Sequence, residues 1–467
     1  MNAWFSISIL IAYFVMLLLI SWYTARHSDT ADFYKGSNKS PWWAVAFGMI
    51  GTTLSGVTFI SVPGWVSSPA KMTYMAVILG NFAGYLIIAQ VLLPLYYKLS
   101  LTSIYTYIEK RFGYKAYKTS AVLFLLSKII GAAFRLFIVT LVLQITIFEP
   151  LHIPFIFNAF FSVFIIWAYT FKGGIKTIIW TDLIQTFFLI FAVIFTIFSI
   201  QKALGFSFGD MVSAIAGNPQ SQIFDFSDPW SNPNNFWKQF IAGIFIAIVM
   251  NGLDQDMMQK NLSCKSLKDA QKNMYTYGFA FTPVNFLFLS LGVLLLTLAS
   301  QQQIELPALN DDILPMFCTS GILGHSILIF FTIGIIAAAF SSADSALTAL
   351  TTSFCIDILG VEKEKAQSAK RTRLVVHLMI SILFAIIILA FKAINNRSVI
   401  DAIYMIASYT YGPLLGLFVF GLFTKKHPRD KFVPYICIVS PLLCFLTDYL
   451  VKQHTGYAFG YEMLMLN

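Results

Sequence analysis

Gly51-Thr52-Thr53-Leu54-Ser55-Gly56-Val57-Thr58 sets two glycines and four hydroxyls inside an apolar run, 43–66, long enough to cross a bilayer. A second run, 322–351, contains Ala337-Ala338-Ala339-Phe340-Ser341-Ser342-Ala343-Asp344-Ser345. In hydrocarbon, irregular backbone is tolerated only where protein or a cavity surrounds it. Glycine weakens a helix by about 1 kcal/mol, and Pro63 follows within two turns. A break here would free the carbonyls of Gly51 and Leu54. Small, oxygen-rich stretches at membrane depth suit a hard cation such as Na⁺, which takes carbonyl, hydroxyl and carboxylate oxygens. Close helix packing through small residues accounts for the first stretch equally well when it is taken alone.

The composition favours a membrane setting. Of 467 residues, 58% are hydrophobic, 16% aromatic and only 11% charged, where a soluble domain carries about a quarter charged residues. The mean hydropathy is +0.74. The net charge of +9 sits in loops between apolar runs, so topology explains it better than nucleic-acid binding does. Five cysteines show neither metal-type spacing nor a disulfide framework. The first run, Trp4 to Trp22, lacks a basic leader and a small-residue cleavage site and reads as a retained helix.

Twelve spans are expected: 4–24, 43–66, 75–97, 117–145, 152–171, 178–200, 238–260, 275–299, 322–351, 372–392, 399–424 and 432–452. A thirteenth, truncated helix or a hydrophobic tail follows at Tyr461–Asn467. Alternate loops hold 23 Lys and Arg against 6 in the opposite loops, with Lys128 and Arg135 inside a span. That asymmetry places the N-terminus outside and the first loop in the cytoplasm. Loops 203–236 and 300–320 then face outward, the first as a short cap. The chain reads as one transport domain, 1–467: an extra helix 4–24, five helices in 43–200, five in 238–424, and a C-terminal helix and tail in 432–467. Five is odd, so the second group enters the membrane inverted, as an inverted-repeat transporter requires.

Ala338, Ser341, Ser342 and Ser345 recur at three- and four-residue steps and share a helix face. Asp344 beside them is an intramembrane carboxylate, a functional candidate by default. Asp182, a few residues into a span, is either a polar helix end or a cation ligand. Arg135 lies mid-span, where a charge costs at least about 2.5–3.5 kcal/mol. It either pairs with Asp344 or Asp182, or binds an anionic substrate, whose carboxylate suits the guanidinium fork. In Asn251-Gly252-Leu253-Asp254-Gln255-Asp256 the two acids read as solvated or bridged to loop lysines, with Asn251 a deeper site candidate. No Walker A motif, HExxH pair or triad context occurs, so neither an ATP-driven pump nor an enzyme is indicated.

Further stretches complete a pattern: Ala31-Asp32-Phe33-Tyr34-Lys35-Gly36, Leu101-Thr102-Ser103-Ile104-Tyr105-Thr106-Tyr107-Ile108-Glu109, Gly173-Gly174 through Trp180-Thr181-Asp182-Leu183-Ile184-Gln185, and Gly412-Pro413-Leu414-Leu415-Gly416-Leu417-Phe418. Taken with the two hydroxyl-rich stretches, these resemble the sodium:solute symporter family over nearly the whole chain. The resemblance implies an all-α polytopic membrane protein with a leucine-transporter-like 5+5 inverted repeat of about 12–13 helices, working by alternating access. It implies one or two Na⁺ as coupling ions. The common sodium site would use carbonyls of Gly51, Leu54 and Ala338 with hydroxyls of Ser341 and Ser342. A second, as in bacterial sodium–sialic acid symporters, would use Asp182, Ser341 and Ser345, with Asp344 standing where that subgroup has serine. Thr53, Ser55 and Thr58 match its sugar-acid contacts, and Asn81 replaces a glutamine. Its carboxylate-binding arginine has no equivalent at its own position; Arg135 lies about one turn further on.

The expected function is Na⁺-coupled import of a small carboxylated solute, with a sialic-acid-like sugar acid first among the options. Monocarboxylate, vitamin or iodide symport, H⁺ coupling through Asp344, and a transport-deficient membrane sensor are the alternatives. The expected setting is the inner membrane, with the lipid bilayer and an anionic solute as partners, and neither nucleic acid nor an obligate protein partner.

Overall fold

The computed structural model describes residues 3–26, 30–228, 232–363, 365–394 and 409–467 apart from 458 and 461. The described residues form an all-helical bundle. The apolar helices are α1 (Ala3–Thr24), α2 (Trp42–Thr53 and Gly56–Trp65), α3 (Tyr74–Lys98), α4 (Tyr114–Leu143), α5 (Phe155–Thr170) and α6 (Ile175–Leu204). They continue with α7 (Phe236–Gly252 and Gln255–Leu262), α8 (Leu267–Gln302), α9 (Ser326–Leu359), α10 (Ala366–Ile394) and α11 (Tyr411–Phe423), then α12 (Val433–Thr455). Each expected span coincides with one of these, although the span 399–424 lies outside the described residues before 409.

Among the described residues two helices are broken. α2 bends by 64° between its halves and α7 by 66°. The α2 break is the one its glycines and hydroxyls imply. Gly51 also permits a close crossing, since a Cβ there would lie 2.1 Å from Thr186 Oγ1 on α6. Gly56 does the same toward α4, where a Cβ would meet Val139 at 2.5 Å.

The second half of α7 is fully buried and the first half of α2 mostly so. α2 packs on α6 and α8, α7 packs on α3, and α9 packs on both α6 and α4. α12 lies outside, with Ile436, Val439, Leu442, Leu443 and Leu446 exposed, as a lipid-facing helix requires. The loop 203–236 carries the expected short cap, helix Phe208–Gly217, started by a Ser207–Asp210 capping box.

Candidate ion and solute site

The α2 break exposes main-chain oxygens. Leu54 N–H donates to Ile50 O and Ser55 N–H folds back onto Thr53 O, both at 2.9 Å. Helix resumes only at Gly56, capped by Ser55 Oγ, which accepts from Thr58 N–H. The carbonyls of Gly51 and Thr52 therefore lose their usual i+4 donors. α9 presents hydroxyls to this gap. Ser342 Oγ donates to Thr52 O at 2.8 Å and lies 3.1 Å from Ala338 O. Ser341 Oγ lies 3.2 Å from Thr52 Oγ1. Neutral and anionic oxygens packed this closely are what a hard monovalent cation takes. Histidine and cysteine play no part, and no cluster of three His, Cys, Asp or Glu residues occurs among the described residues.

Asp182, on α6, adjoins the gap and is fully buried. Ser341 Oγ donates to its Oδ1 at 2.6 Å. Thr52 Oγ1 and Ser345 Oγ reach its Oδ2 at 3.1 and 3.3 Å. The same Oδ2 pairs with Lys260 Nζ at 2.7 Å, and that ammonium also donates to Thr52 Oγ1. Lys260 is as buried as its partner. Asp344, one turn from Ser341, accepts from Tyr169 O–H at 2.7 Å.

Beside this cluster opens a cavity whose walls include Thr52, Thr53, Arg135, Asn251 and Ser342. Thr53 Oγ1 lies 2.8 Å from Tyr277 O–H, which reaches Asn251 Oδ1 at 3.3 Å and Tyr85 O–H at 3.1 Å. Part of the lining is ionic. Lys128 Nζ bridges Asp254 at 3.0 Å and Asp256 at 2.9 Å, and Tyr411 O–H donates to Asp254 at 3.0 Å.

The α7 break has its own supports. Asp254 caps the second half of the helix by accepting from Asp256 N–H. The carbonyls freed at Gly252 and Leu253 accept from Tyr96 and Tyr105 hydroxyls at 2.9 and 3.1 Å. Gln255 clamps the Leu101–Glu109 stretch, accepting from Ile104 N–H and donating to Thr102 O. Gln259 ties the second half to the main chain of Phe33 and Tyr34. Two of the sequence stretches thus exist to hold one broken helix.

The structure brings Ala338, Ser341, Ser342, Asp182 and Ser345 together around Thr52, with Gly51 and Leu54 beside the α2 break, and puts Thr53, Asn251 and Arg135 on one cavity. It does not bring Ser55, Thr58 or Asn81 to that cavity. Ser55 serves as a helix cap, and Asn81 Oδ1 is buried without a hydrogen-bond partner among the described residues. Three expectations are corrected. Asp254 and Asp256 are neither solvated nor paired to loop lysines: both are buried and hold Lys128. Lys260 is not a loop lysine but a buried one, which leaves 22 loop charges against 6. Neither suggested partner of Arg135 forms an ion pair with it; Asp182 is taken by Lys260 and Asp344 by Tyr169. Tyr85 and Tyr277 were missed, because two hydroxyls among 21 tyrosines carry no pattern of their own.

A bundle with two centrally broken helices, one lined by cation-type oxygens, defines a secondary transporter rather than an enzyme. The family follows from the sequence match: residues 33–430 fit the model described as "Sodium:solute symporter family", and the chain belongs to that family of Na⁺-coupled carriers. It is 28% identical to the sodium/sialic acid symporter NanT of Aliivibrio fischeri, over 89% of this chain and 82% of that protein. It is 26% identical to the sodium/sialic acid symporter SiaT of Proteus mirabilis, over 90% and 84%. In fold it matches a substrate-bound, outward-open Na⁺-coupled sialic acid symporter with a TM-score of 0.82, at 22% identity over 99% of this chain and 94% of that one. The closed, hydantoin-bound nucleobase-cation symporter Mhp1 matches with a TM-score of 0.51, at 14% identity over 93% and 98%.

Proposed function

We propose that the chain imports a small carboxylated solute together with Na⁺, with a sialic-acid-like sugar acid the first to try. The observation that carries this reading is the gap between α2 and α9, where the freed Thr52 carbonyl meets the Ser342 hydroxyl and the Thr52 hydroxyl meets that of Ser341. Na⁺ enters as co-substrate, held by the carbonyls of Gly51, Leu54 and Ala338 and the hydroxyls of Ser341 and Ser342. The solute occupies the adjoining cavity, with its carboxylate on Arg135 and its polar groups on Thr53 and Asn251, which line it. Ion and solute then share walls through Thr52 and Ser342, so each organises the other's site, which is the coupling that symport needs. The two named relatives carry sialic acid by their names, which supports an anionic sugar acid over iodide or a vitamin. The transport unit is the whole chain, with 43–200 and 238–424 its two inverted halves, set in the inner membrane with the N-terminus outside.

The test is a thermal-shift screen of the purified protein with N-acetylneuraminate, acetate, lactate, pantothenate and iodide, each in Na⁺ and in K⁺. A ligand selective for the folded state raises the apparent melting temperature. The expected result is stabilisation by one carboxylate in Na⁺ only. Equal stabilisation in K⁺ defeats Na⁺ coupling, and stabilisation by iodide alone defeats the carboxylate.

A further inference from the structure

The cation that neutralises Asp182 belongs to the chain itself. Lys260 Nζ sits 2.7 Å from Asp182 Oδ2 and donates to Thr52 Oγ1. Ser341 and Ser345 hydroxyls reach the same carboxylate at 2.6 and 3.3 Å. An ammonium and a sodium ion carry one charge each and are satisfied by the same oxygens, so they compete for one position. The pair is buried, with side-chain exposures of 1% and 0%, and it bridges α6 to the half of α7 beyond its break.

The charge balance points the same way. Asp344 is a second buried carboxylate on α9; its Oδ2 accepts from Tyr169 on α5, and its Oδ1 has no hydrogen-bond partner among the described residues. Two carboxylates and one ammonium leave one negative charge to balance when both acids are ionised. One Na⁺ between α2 and α9 closes that balance, whereas two would leave an excess positive charge in a medium that penalises it.

We propose that Lys260 is a built-in cation on Asp182, so that a single Na⁺ binds and moves with each solute. This rests on the Na⁺ symport reading above and sets its stoichiometry.

The test is equilibrium binding of ²²Na⁺ to the purified full chain. The wild type should bind one Na⁺ per chain. Lys260→Met should bind two, because Asp182 is left needing a cation, and Asp182→Asn in addition should return the count to one. Lys260→Arg keeps the tethered charge and should stay at one. Should Lys260→Met fail to give monodisperse protein, the wild-type and Lys260→Arg counts still decide. Two Na⁺ in the wild type, or one in a folded Lys260→Met, overturns the inference and leaves symport standing. A wild type that binds no Na⁺ overturns the symport reading, and the inference falls with it.

Discussion

Single side chains carry the two tests of the site. Ser342 Oγ is the α9 hydroxyl that reaches the freed Thr52 carbonyl. Ser342→Ala removes one cation oxygen and leaves that carbonyl short of a donor, at a cost of about 1–3 kcal/mol. The expected outcome is loss of the melting-temperature difference between Na⁺ and K⁺ media in a protein that still folds. Arg135 lines the same cavity as Thr52 and Ser342. Arg135→Ala should abolish stabilisation by the solute while ²²Na⁺ binding persists; loss of both would make it a structural residue. At this scale the sequence was informative where a polar atom sat in an unbroken apolar run, as with Asp182, Asp344 and Arg135. It misled where the run ended. Lys260 falls two residues before Leu262 closes α7, a position indistinguishable by pattern from the water-facing lysines that follow it. Only the fold, by turning the helix 66°, carries that lysine inward.

Helices fail or hold as units, and the two breaks were unequally visible. Gly51 and Gly56 advertise the first, because glycine is costly in a helix and permits near contact. The second is disguised: Asn251 to Asp256 resembles an ordinary polar helix end, and its supports come from Tyr96, Tyr105 and Gln255, distant in sequence or unremarkable in type. The close crossing of α2 and α6 predicts that Gly51→Ala lowers the melting temperature, with overpacking of about 1–3 kcal/mol. Thr186→Ala in the same chain should recover part of the loss, because the nearest atom in the clash is Thr186 Oγ1. The α7 break depends on Lys128 in a similar way. Lys128→Met leaves Asp254 and Asp256 buried together without their cation, a loss of about 3–5 kcal/mol. Adding Asp254→Asn and Asp256→Asn should restore most of the melting temperature, since the repulsion is then gone.

For the whole molecule, the arrangement of loops predicts an external N-terminus. A cysteine placed at Asn2 in a background lacking the five native cysteines should react with an impermeant maleimide added outside intact cells. Labelling only after permeabilisation would invert the topology. The buried Lys260–Asp182 pair has a consequence for the cell's energy supply. If one Na⁺ accompanies a monoanionic solute, each cycle carries no net charge. The membrane potential then contributes nothing to uptake, and accumulation follows the Na⁺ concentration ratio alone. A second Na⁺ would add about 1.4 kcal/mol for each tenfold Na⁺ ratio and about 2.3 kcal/mol for each 100 mV of potential. Transport should therefore ignore an imposed potassium diffusion potential in the wild type and respond to it in Lys260→Met. On that stoichiometry, one lysine codon would separate a carrier that works in a depolarised cell from one that concentrates more steeply but draws on the voltage.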